Sequence, residues 1–322
     1  MKRTLVLLAL GGLFCPQAVN AQEWPDSTTQ VEHIQQLKLN IAPGQYSGIT
    51  PIGDGVYAVV HDKSKGGGIH IFTIGFKKSG NISSVQAFEA CPPIPVDIKD
   101  KDNEGIVFVP ETGTLWVSAE ADQTIQEYLV DGSPTGRELK IPSEYRKAAR
   151  NRGFEALAYG DGLFWTTTEA PLDGEECHRI LSFSLSTLAP EFEYYYTPDH
   201  PEIPDTKGPR AFANGISAMT WLGNGRLAIL EREVYVPDGG LFAMSGAFTR
   251  NRIYVVEPKR EIDLEKQLFT EFYTGPFNFA NFEGMCLGPK IGDRQSLLLI
   301  ADSQDHYMGL ADEWVRVILY TP

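Results

Sequence analysis

Cysteine and positive charge are both scarce in this chain. Four cysteines occur among 322 residues, and 28 Lys and Arg stand against 42 Asp and Glu, which gives a formal charge of −14. Disulfide-stapled scaffolds are dense in cysteine, and proteins that bind nucleic acids or anionic membranes present a basic surface. We therefore exclude a stapled scaffold and expect no nucleic-acid partner. Hydrophobic residues make up 42% of the chain, enough for a full globular core.

Long apolar runs are absent beyond the N-terminus. No later stretch approaches the roughly 18–20 apolar residues of a membrane-spanning helix, so we expect no membrane span. The chain begins with Met-Lys-Arg, continues with an apolar stretch over 4–14, and reaches a Val-Asn-Ala sequence that ends at Ala21. This order is typical of a signal peptide. It predicts a signal over residues 1–21, a single domain over 22–322, and a secreted or periplasmic protein.

Cleavage of that signal would leave an odd number of cysteines. Cys91, Cys177 and Cys286 would remain, which allows at most one internal disulfide. Cys286 lies in an apolar run, so we expect a buried thiol there. A pairing of Cys91 with Cys177 stays open at this point.

Several catalytic and metal-binding signatures are missing. The sequence contains no Gly-x-Ser-x-Gly, His-Glu-x-x-His or Cys-x-x-Cys motif, so nothing indicates an α/β-hydrolase triad or a zinc site. Asp100, Asp102, Glu104 and Glu111 match the spacing of an EF-hand loop. A proline-rich stretch precedes them and a strand-like stretch follows, whereas an EF-hand needs flanking helices. A loop calcium site that uses Asp100, Asp102 and Glu104 stays open.

One pattern recurs five times along the chain. A Glu or Ser, a small residue and an apolar residue lead to a glycine-containing turn, an apolar strand and an acid. Turns such as Gly-Asp-Gly and Gly-Asn-Gly are hairpin signals. A third strand follows each acid, and a fourth, more polar strand follows in the first four units. The apolar residues of the pattern recur every 51 to 66 positions, at Ile49, Ile106, Leu157, Met219 and Met285.

Four antiparallel strands repeated at this spacing are typical of a β-propeller. The last unit lacks a fourth strand because the chain ends, and segment 31–41 is available to fill that gap. The sequence predicts an all-β propeller of five four-stranded blades, closed by an N-terminal strand. A sixth, degenerate blade within 190–215 or 236–251 stays open.

The repeat also predicts where its acids meet. In a blade, the innermost strand begins at the rim of the central channel where the second strand ends, so acids at both places share one mouth. We expect His61 and Arg232 at the same rim. The acids predicted to lie there are Asp62, Glu104, Glu120, Glu155, Glu169, Glu231, Glu283 and Asp302.

Two interpretations of this acidic mouth stay open. Crowded carboxylates are costly unless a proton or a cation lies among them, and oxygen ligands favour Ca²⁺ or another hard divalent cation. Alternatively, the acids pair with arginines between blades, which holds register with little net stability, and the Glu before each innermost strand caps backbone amides.

Short motifs spread over most of the chain resemble one known family. They occur in the expected order as residues 102–106, 151–157, 168–172, 215–219, 230–233, 252–254, 281–285 and 301–303. Together they resemble the phytase-like family, also described by the esterase-like activity of phytase. The resemblance implies a β-propeller, hydrolysis of a phosphoester or ester, and acidic clusters that bind Ca²⁺. It points to Glu104, Glu155, Glu231, Arg232, Glu283 and Asp302. The first unit departs from the pattern, with His61-Asp62-Lys63 in place of Ser-Asp-Arg.

The leading functional hypothesis is a metal-assisted phosphoester hydrolase with a small-molecule substrate, acting as a monomer. Glu155 is the candidate general base, and Arg232, with Lys63 or Arg152, would neutralise phosphate charge. The full catalytic set is Glu155, Glu231, Arg232 and His61. The candidate metal ligands are Asp62, Glu104, Glu120, Glu155, Glu169, Glu283 and Asp302. A non-catalytic binding propeller and a metal-dependent lactonase or esterase are the alternatives.

Overall fold

Five four-stranded antiparallel sheets form the molecule. Together they make an all-β propeller, as the repeat predicts. A computed structural model describes residues 29–41, 44–62, 68–89, 101–145, 152–203, 208–258, 262–304 and 306–322. Within those residues there is no sixth sheet, so the described parts of 190–215 and 236–251 do not form a further blade. The predicted signal over 1–21, and Lys63, Cys91 and Asp100, lie outside the described residues.

The strands of each blade follow chain order from the channel outward. β1 (Val31–Lys38) comes first in the chain and belongs to the last blade. Blade one contains β2 (Tyr46–Gly53), β3 (Val56–His61), β4 (Gly68–Phe76) and β5 (Ile82–Glu89). Blade two contains β6 (Asn103–Val109), β7 (Thr114–Ala119), β8 (Thr124–Tyr128) and β9 (Pro134–Glu138). Blade three contains β10 (Phe154–Gly160), β11 (Leu163–Thr168), β12 (His178–Ser184) and β13 (Pro190–Tyr196).

Blade four has the longest strands. It contains β14 (Ala211–Gly223), β15 (Arg226–Val236), β16 (Phe248–Val256) and β17 (Lys266–Thr274). Blade five contains β18 (Asn281–Ile291), β19 (Arg294–Asp302) and β20 (Trp314–Tyr320), followed outward by β1. The described helical structure is one short helix, α1 (Leu241–Met244), and a 3₁₀ turn at Tyr307–Gly309. No helix among the described residues is long and apolar enough to cross a membrane.

The N-terminal strand closes the ring. β1 pairs antiparallel with β20, from Val31 opposite Tyr320 to Lys38 opposite Trp314. The first and last strands of the chain therefore share one sheet, and the strand edge that β20 would expose is covered. The prediction that segment 31–41 completes the last blade is confirmed.

Strand β19 shows how neighbouring blades hold together. Leu298 and Ile300 pack in a cluster with residues of blade one, whereas Leu297 and Leu299 pack in a cluster with residues of blade four. Alternate side chains of a strand point to opposite faces, so a strand covered on both faces is apolar throughout. Burial of each leucine contributes about 1.5–3 kcal/mol to folding.

The innermost strands β2, β6, β10, β14 and β18 contact one another in a closed ring. Their backbones approach so closely that a small residue is required beside each rim position. A Cβ atom on Gly48 would lie 2.5 Å from the Glu104 carbonyl oxygen, and one on Gly105 would lie 2.8 Å from that of Glu155. The channel between these strands has a cavity volume of about 10 Å³, room for about one water molecule. The channel itself therefore has no room for a ligand larger than water.

Candidate functional site

Each blade brings one side chain to the acidic mouth from the same register position. In every blade, the repeated apolar residue of the inner strand pairs with a residue of the second strand. The side chain at the mouth belongs to the residue three positions after that second-strand residue. The pairs are Ile49 with Val59, Ile106 with Val117, Leu157 with Thr166, Met219 with Ile229, and Met285 with Leu299. The corresponding mouth residues are Asp62, Glu120, Glu169, Arg232 and Asp302.

This register corrects the expected place of Glu231. Arg232, not Glu231, occupies the position that acids hold in the other four blades. Glu231 accepts hydrogen bonds at 2.7 Å from the Tyr196 hydroxyl and at 2.7 Å from the Lys266 ammonium, and it pairs with Arg252 at 3.3 Å. These partners lie on outer strands, so Glu231 faces the interface of blades three and four. A shift of one residue along a strand moves a side chain to the opposite face.

The inner strands add a second set of acids at the same mouth. Glu104, Glu155 and Glu283 precede the small residues of β6, β10 and β18, and each is no more than 8% exposed. Asp102, just before β6, lies with them. One oxygen each from Asp62, Asp102 and Glu104 lie within 4.8 Å of one another. We call Asp62, Asp102, Glu104, Glu120, Glu155, Glu169, Glu283 and Asp302 the acidic ring.

Burial and mutual repulsion perturb the ring. Burial raises the pKa of Glu104 well above its usual range, and the charges of Asp62 and Glu283 raise it further. Burial likewise raises the pKa of Glu155 and of Asp302, with added repulsion from Glu104 and Glu283 respectively. Low-dielectric surroundings and nearby like charges both disfavour the ionised form. The ring therefore binds protons, or another cation, more readily than ordinary carboxylates do.

Arg232 is buried among these acids. Its Nη2 donates to Glu169 at 2.7 Å, and its Nη1 donates to Asn281 at 2.9 Å and to Glu283. The neighbouring carboxylates raise the pKa of Arg232 against the opposing effect of burial. The guanidinium is thus a fixed positive charge that joins blades three, four and five at the mouth.

The backbone also supports ring carboxylates. Glu120 accepts a hydrogen bond from the Gly153 amide at 2.6 Å, and Asp302 accepts one from the Gln304 amide at 2.6 Å. These capping acids lie at the ends of second strands, whereas the expectation assigned capping to the Glu before each innermost strand. Arg152, expected near the phosphate, lies close enough to lower the pKa of Glu169, which burial raises overall.

His61 contacts aromatic side chains of blade one. Its ring stacks on His70 at a centroid distance of 5.6 Å and meets Tyr46 edge-on at 5.8 Å. His61 is the last residue of β3, and Asp62 follows it in the turn. The structure therefore places His61 in an aromatic cluster of blade one and Asp62 in the ring.

The ring provides a donor set that fits a hard divalent cation. Asp62, Asp102 and Glu104 offer carboxylate oxygens alone, which suit Ca²⁺, Mg²⁺ or Mn²⁺ better than zinc or copper. The crowded, buried acids supply the excess negative charge that such an ion would offset. Glu111 of the EF-hand-like spacing is exposed in the β6–β7 turn, so it lies at the other end of β6 from Glu104.

Sequence reasoning named one group of the site only as part of a local loop and missed another. Asp102 joins Asp62 from another blade, although the sequence places it in a local calcium-loop pattern. Asn281 bonds both Arg232 and Glu283, and its position two residues before Glu283 is the signal that could have found it, since residues i and i+2 share a strand face. The two described cysteines, Cys177 and Cys286, are free thiols, and Cys286 is buried in the core cluster between blades one and five.

A family model described as phytase-like, esterase-like activity of phytase, matches residues 41–304. No curated protein gives a significant match. Among solved structures, a streptogramin B lyase is 15% identical with a TM-score of 0.38, covering 90% of this chain and 98% of that one. The catalytic domain of the Coprinopsis cinerea GH62 α-L-arabinofuranosidase is 10% identical with a TM-score of 0.46, covering 90% and 95%. Likenesses this low carry no argument about activity.

The family match agrees with the architecture. It spans four of the five blades completely and reaches the end of β19 in the fifth, and it includes every member of the acidic ring. The chain belongs to the phytase-like family.

Proposed function

We propose that this protein is a divalent-cation-assisted hydrolase of small phosphoesters, with its site at the acidic mouth of the propeller. The observation that carries the proposal is the acidic ring itself. Eight carboxylates from four blades surround one mouth, and burial raises the pKa of several of them. Such a group is stable only when protons or cations offset its charge.

Asp62, Asp102 and Glu104 are the residues that would hold the cation. A bound divalent ion supplies Lewis acidity toward phosphate oxygens and lowers the pKa of a bound water. Ca²⁺ is the first candidate, because Ca²⁺ tolerates irregular sets of six to eight oxygen ligands. Glu120, Glu283 and Asp302 surround this group and add negative charge to the mouth.

Glu155 and Arg232 are the residues proposed to act on the substrate. Burial raises the pKa of Glu155, so its carboxylate is a stronger proton acceptor than that of an ordinary glutamate. Arg232 keeps its charge at all relevant pH values, and it would stabilise negative charge on the reacting group. Glu169 and Asn281 hold the guanidinium in place through hydrogen bonds.

A second candidate function is hydrolysis of an ester or lactone at the same mouth. The observation that favours it is a mainly apolar cavity of about 190 Å³ that opens beside Arg232. An apolar cavity is better suited to an acyl or lactone ring than to a highly charged phosphate compound.

The activity test uses purified protein with Ca²⁺, Mg²⁺ or Mn²⁺, assayed on phosphomonoesters and on lactones. We expect cation-dependent turnover, lost by at least about 100-fold in Glu155→Gln. Glu191→Gln is the matched control, because Glu191 is exposed at the edge of blade three. Turnover that is unchanged in Glu155→Gln, or absent on phosphomonoesters, would contradict the proposal, and turnover on lactones alone would select the second candidate function.

We further propose that the protein acts outside the cytoplasm as a monomer. The support for export is the signal-like sequence of residues 1–21. N-terminal sequencing of protein recovered from culture medium or periplasm tests it. We expect Gln22 at the N-terminus, and retention of Met1 would contradict export by cleavage.

A further inference from the structure

A cavity lies between blades four and five, beside the acidic ring. Its volume is about 190 Å³. Side chains of β14 and β15 form one wall, and the segment that follows β19 forms another. The main lining residues are Phe212, Val234, Phe279, Tyr307, Arg232 and Asn281.

The walls of this cavity are largely apolar. Phe279 and Val236 belong to a small hydrophobic cluster to which Val234 and Tyr307 also pack. An apolar cavity of about 150 Å³ in another protein binds benzene. The present cavity therefore has room for an apolar group of about six to eight non-hydrogen atoms.

One polar group at the cavity lacks a partner. The Nε of Arg232 is buried and has no hydrogen-bond acceptor among the described residues. Both Nη atoms of Arg232 are occupied by Glu169, Asn281 and Glu283. A buried donor without an acceptor is costly, so a ligand that supplies one acceptor oxygen here would gain affinity.

Local charge decides what kind of acceptor fits. The positive charge of Arg232 is already offset by Glu169 and Glu283, and further ring carboxylates lie beyond them. When no cation is bound at the ring, an additional anion would be repelled by these acids. A neutral carbonyl oxygen accepts the Nε–H without adding charge.

We propose that this cavity binds the acyl or lactone ring of a neutral carbonyl compound, with its carbonyl oxygen on the Arg232 Nε–H. The bound carbonyl then lies at the edge of the acidic ring, next to the proposed catalytic groups. The link of this binding to hydrolysis rests on the proposed function, whereas the binding itself does not require a cation.

The test compares two probes of equal size in the presence of chelator. δ-Valerolactone and pentanoate have the same number of non-hydrogen atoms, and pentanoate adds a negative charge. We expect NMR titration to show lactone binding at least 10-fold tighter than pentanoate binding. We also expect intermolecular NOEs from the lactone to the methyl groups of Val234 and Val236, which line the cavity. Equal affinity for the two probes, or no lactone binding, would overturn the proposal.

A filling variant adds a second measurement. Ala213 lines the cavity, so Ala213→Leu should weaken lactone binding at least 10-fold. Ala87→Leu on the outer strand of blade one is the matched control and should bind as the unaltered protein does. If Ala213→Leu does not fold, the NOEs between the lactone and the unaltered protein show whether the lactone binds in the cavity. Calcium binding without lactone binding would refute the cavity proposal but not the proposed cation site. Lactone binding without calcium binding would support the cavity proposal and refute the cation-assisted function.

Discussion

Replacing Arg232 with methionine removes the guanidinium that is buried among the ring acids. Glu169 and Glu283 would then remain buried without their ion-pair partner. Breaking a buried pair in this way costs about 3–5 kcal/mol, because an uncompensated charge stays inside the protein. In the absence of divalent cations at pH 8, we expect Arg232→Met to lower the free energy of unfolding by that amount.

The loss should depend on pH in a defined direction. Arg232 lowers the pKa of Glu155 and Glu169, so without it those carboxyls hold their protons to higher pH. A group whose pKa is higher in the folded than in the unfolded state adds stability at low pH and loses it as pH rises through the folded pKa. The penalty of Arg232→Met should therefore shrink toward pH 5.

Chemical denaturation at pH 5 and pH 8 measures both quantities. Arg250→Met is the control, since Arg250 pairs with Glu271 in a partly exposed position, and such pairs contribute about 1 kcal/mol or less. Adding Glu283→Gln to Arg232→Met should recover at least about 1 kcal/mol at pH 8, because one unpaired charge is removed. A loss below about 1 kcal/mol at pH 8, or an equal loss at both pH values, would refute the account of the ring.

Three further predictions follow from the same structure. The cation-free protein should lose stability as pH rises from about 5 to 8. Burial raises the pKa of Glu104, Glu155 and Asp302, so the folded state binds more protons than the unfolded state. Thermal melts at graded pH test this, and a melting temperature that rises over that range would contradict it. Glu104→Gln should stabilise the cation-free protein at pH 8, which thermal melts measure. The same variant should bind Ca²⁺ at least 10-fold more weakly, which calorimetry measures. A destabilised variant with unchanged Ca²⁺ affinity would contradict the prediction. Gly48→Ala should lower the free energy of unfolding by about 1–3 kcal/mol, because the added Cβ would lie 2.5 Å from the Glu104 carbonyl oxygen. An unchanged free energy of unfolding in urea would show that the inner strands are less tightly packed than described.

Much of the fold could be predicted because a repeat multiplies weak local signals. One hairpin signal is ambiguous, but five in register predict five blades and the pairing of each inner strand with the second strand, although a sixth blade stayed open until the structure showed five sheets. The role of β1 followed from a missing fourth strand in the last unit, and its pairing with β20 confirms that inference. Packing between blades makes strands apolar on both faces, so alternation alone could not define their bounds.

The candidate site was predicted less completely, for two physical reasons. Matching residues by chemical type placed Glu231 at the mouth, whereas the strand register brings Arg232 there. Register is set by pairing across the whole strand, which residue type does not reveal. The meeting of Asp62 with Asp102, and the cavity beside Arg232, depend on contacts between blades that no local pattern encodes.

Calcium titration of the chelator-treated protein by calorimetry tests the central claim most directly. The account predicts stoichiometric binding that weakens at least 10-fold in Asp62→Asn, with Asp54→Asn, an exposed turn residue of the same blade, unchanged. At a free concentration 100 times its Kd, the ion should raise the free energy of unfolding by about 2.7 kcal/mol. No heat and no change in melting temperature with millimolar Ca²⁺, Mg²⁺ or Mn²⁺ would contradict the claim that the acidic ring is a cation site.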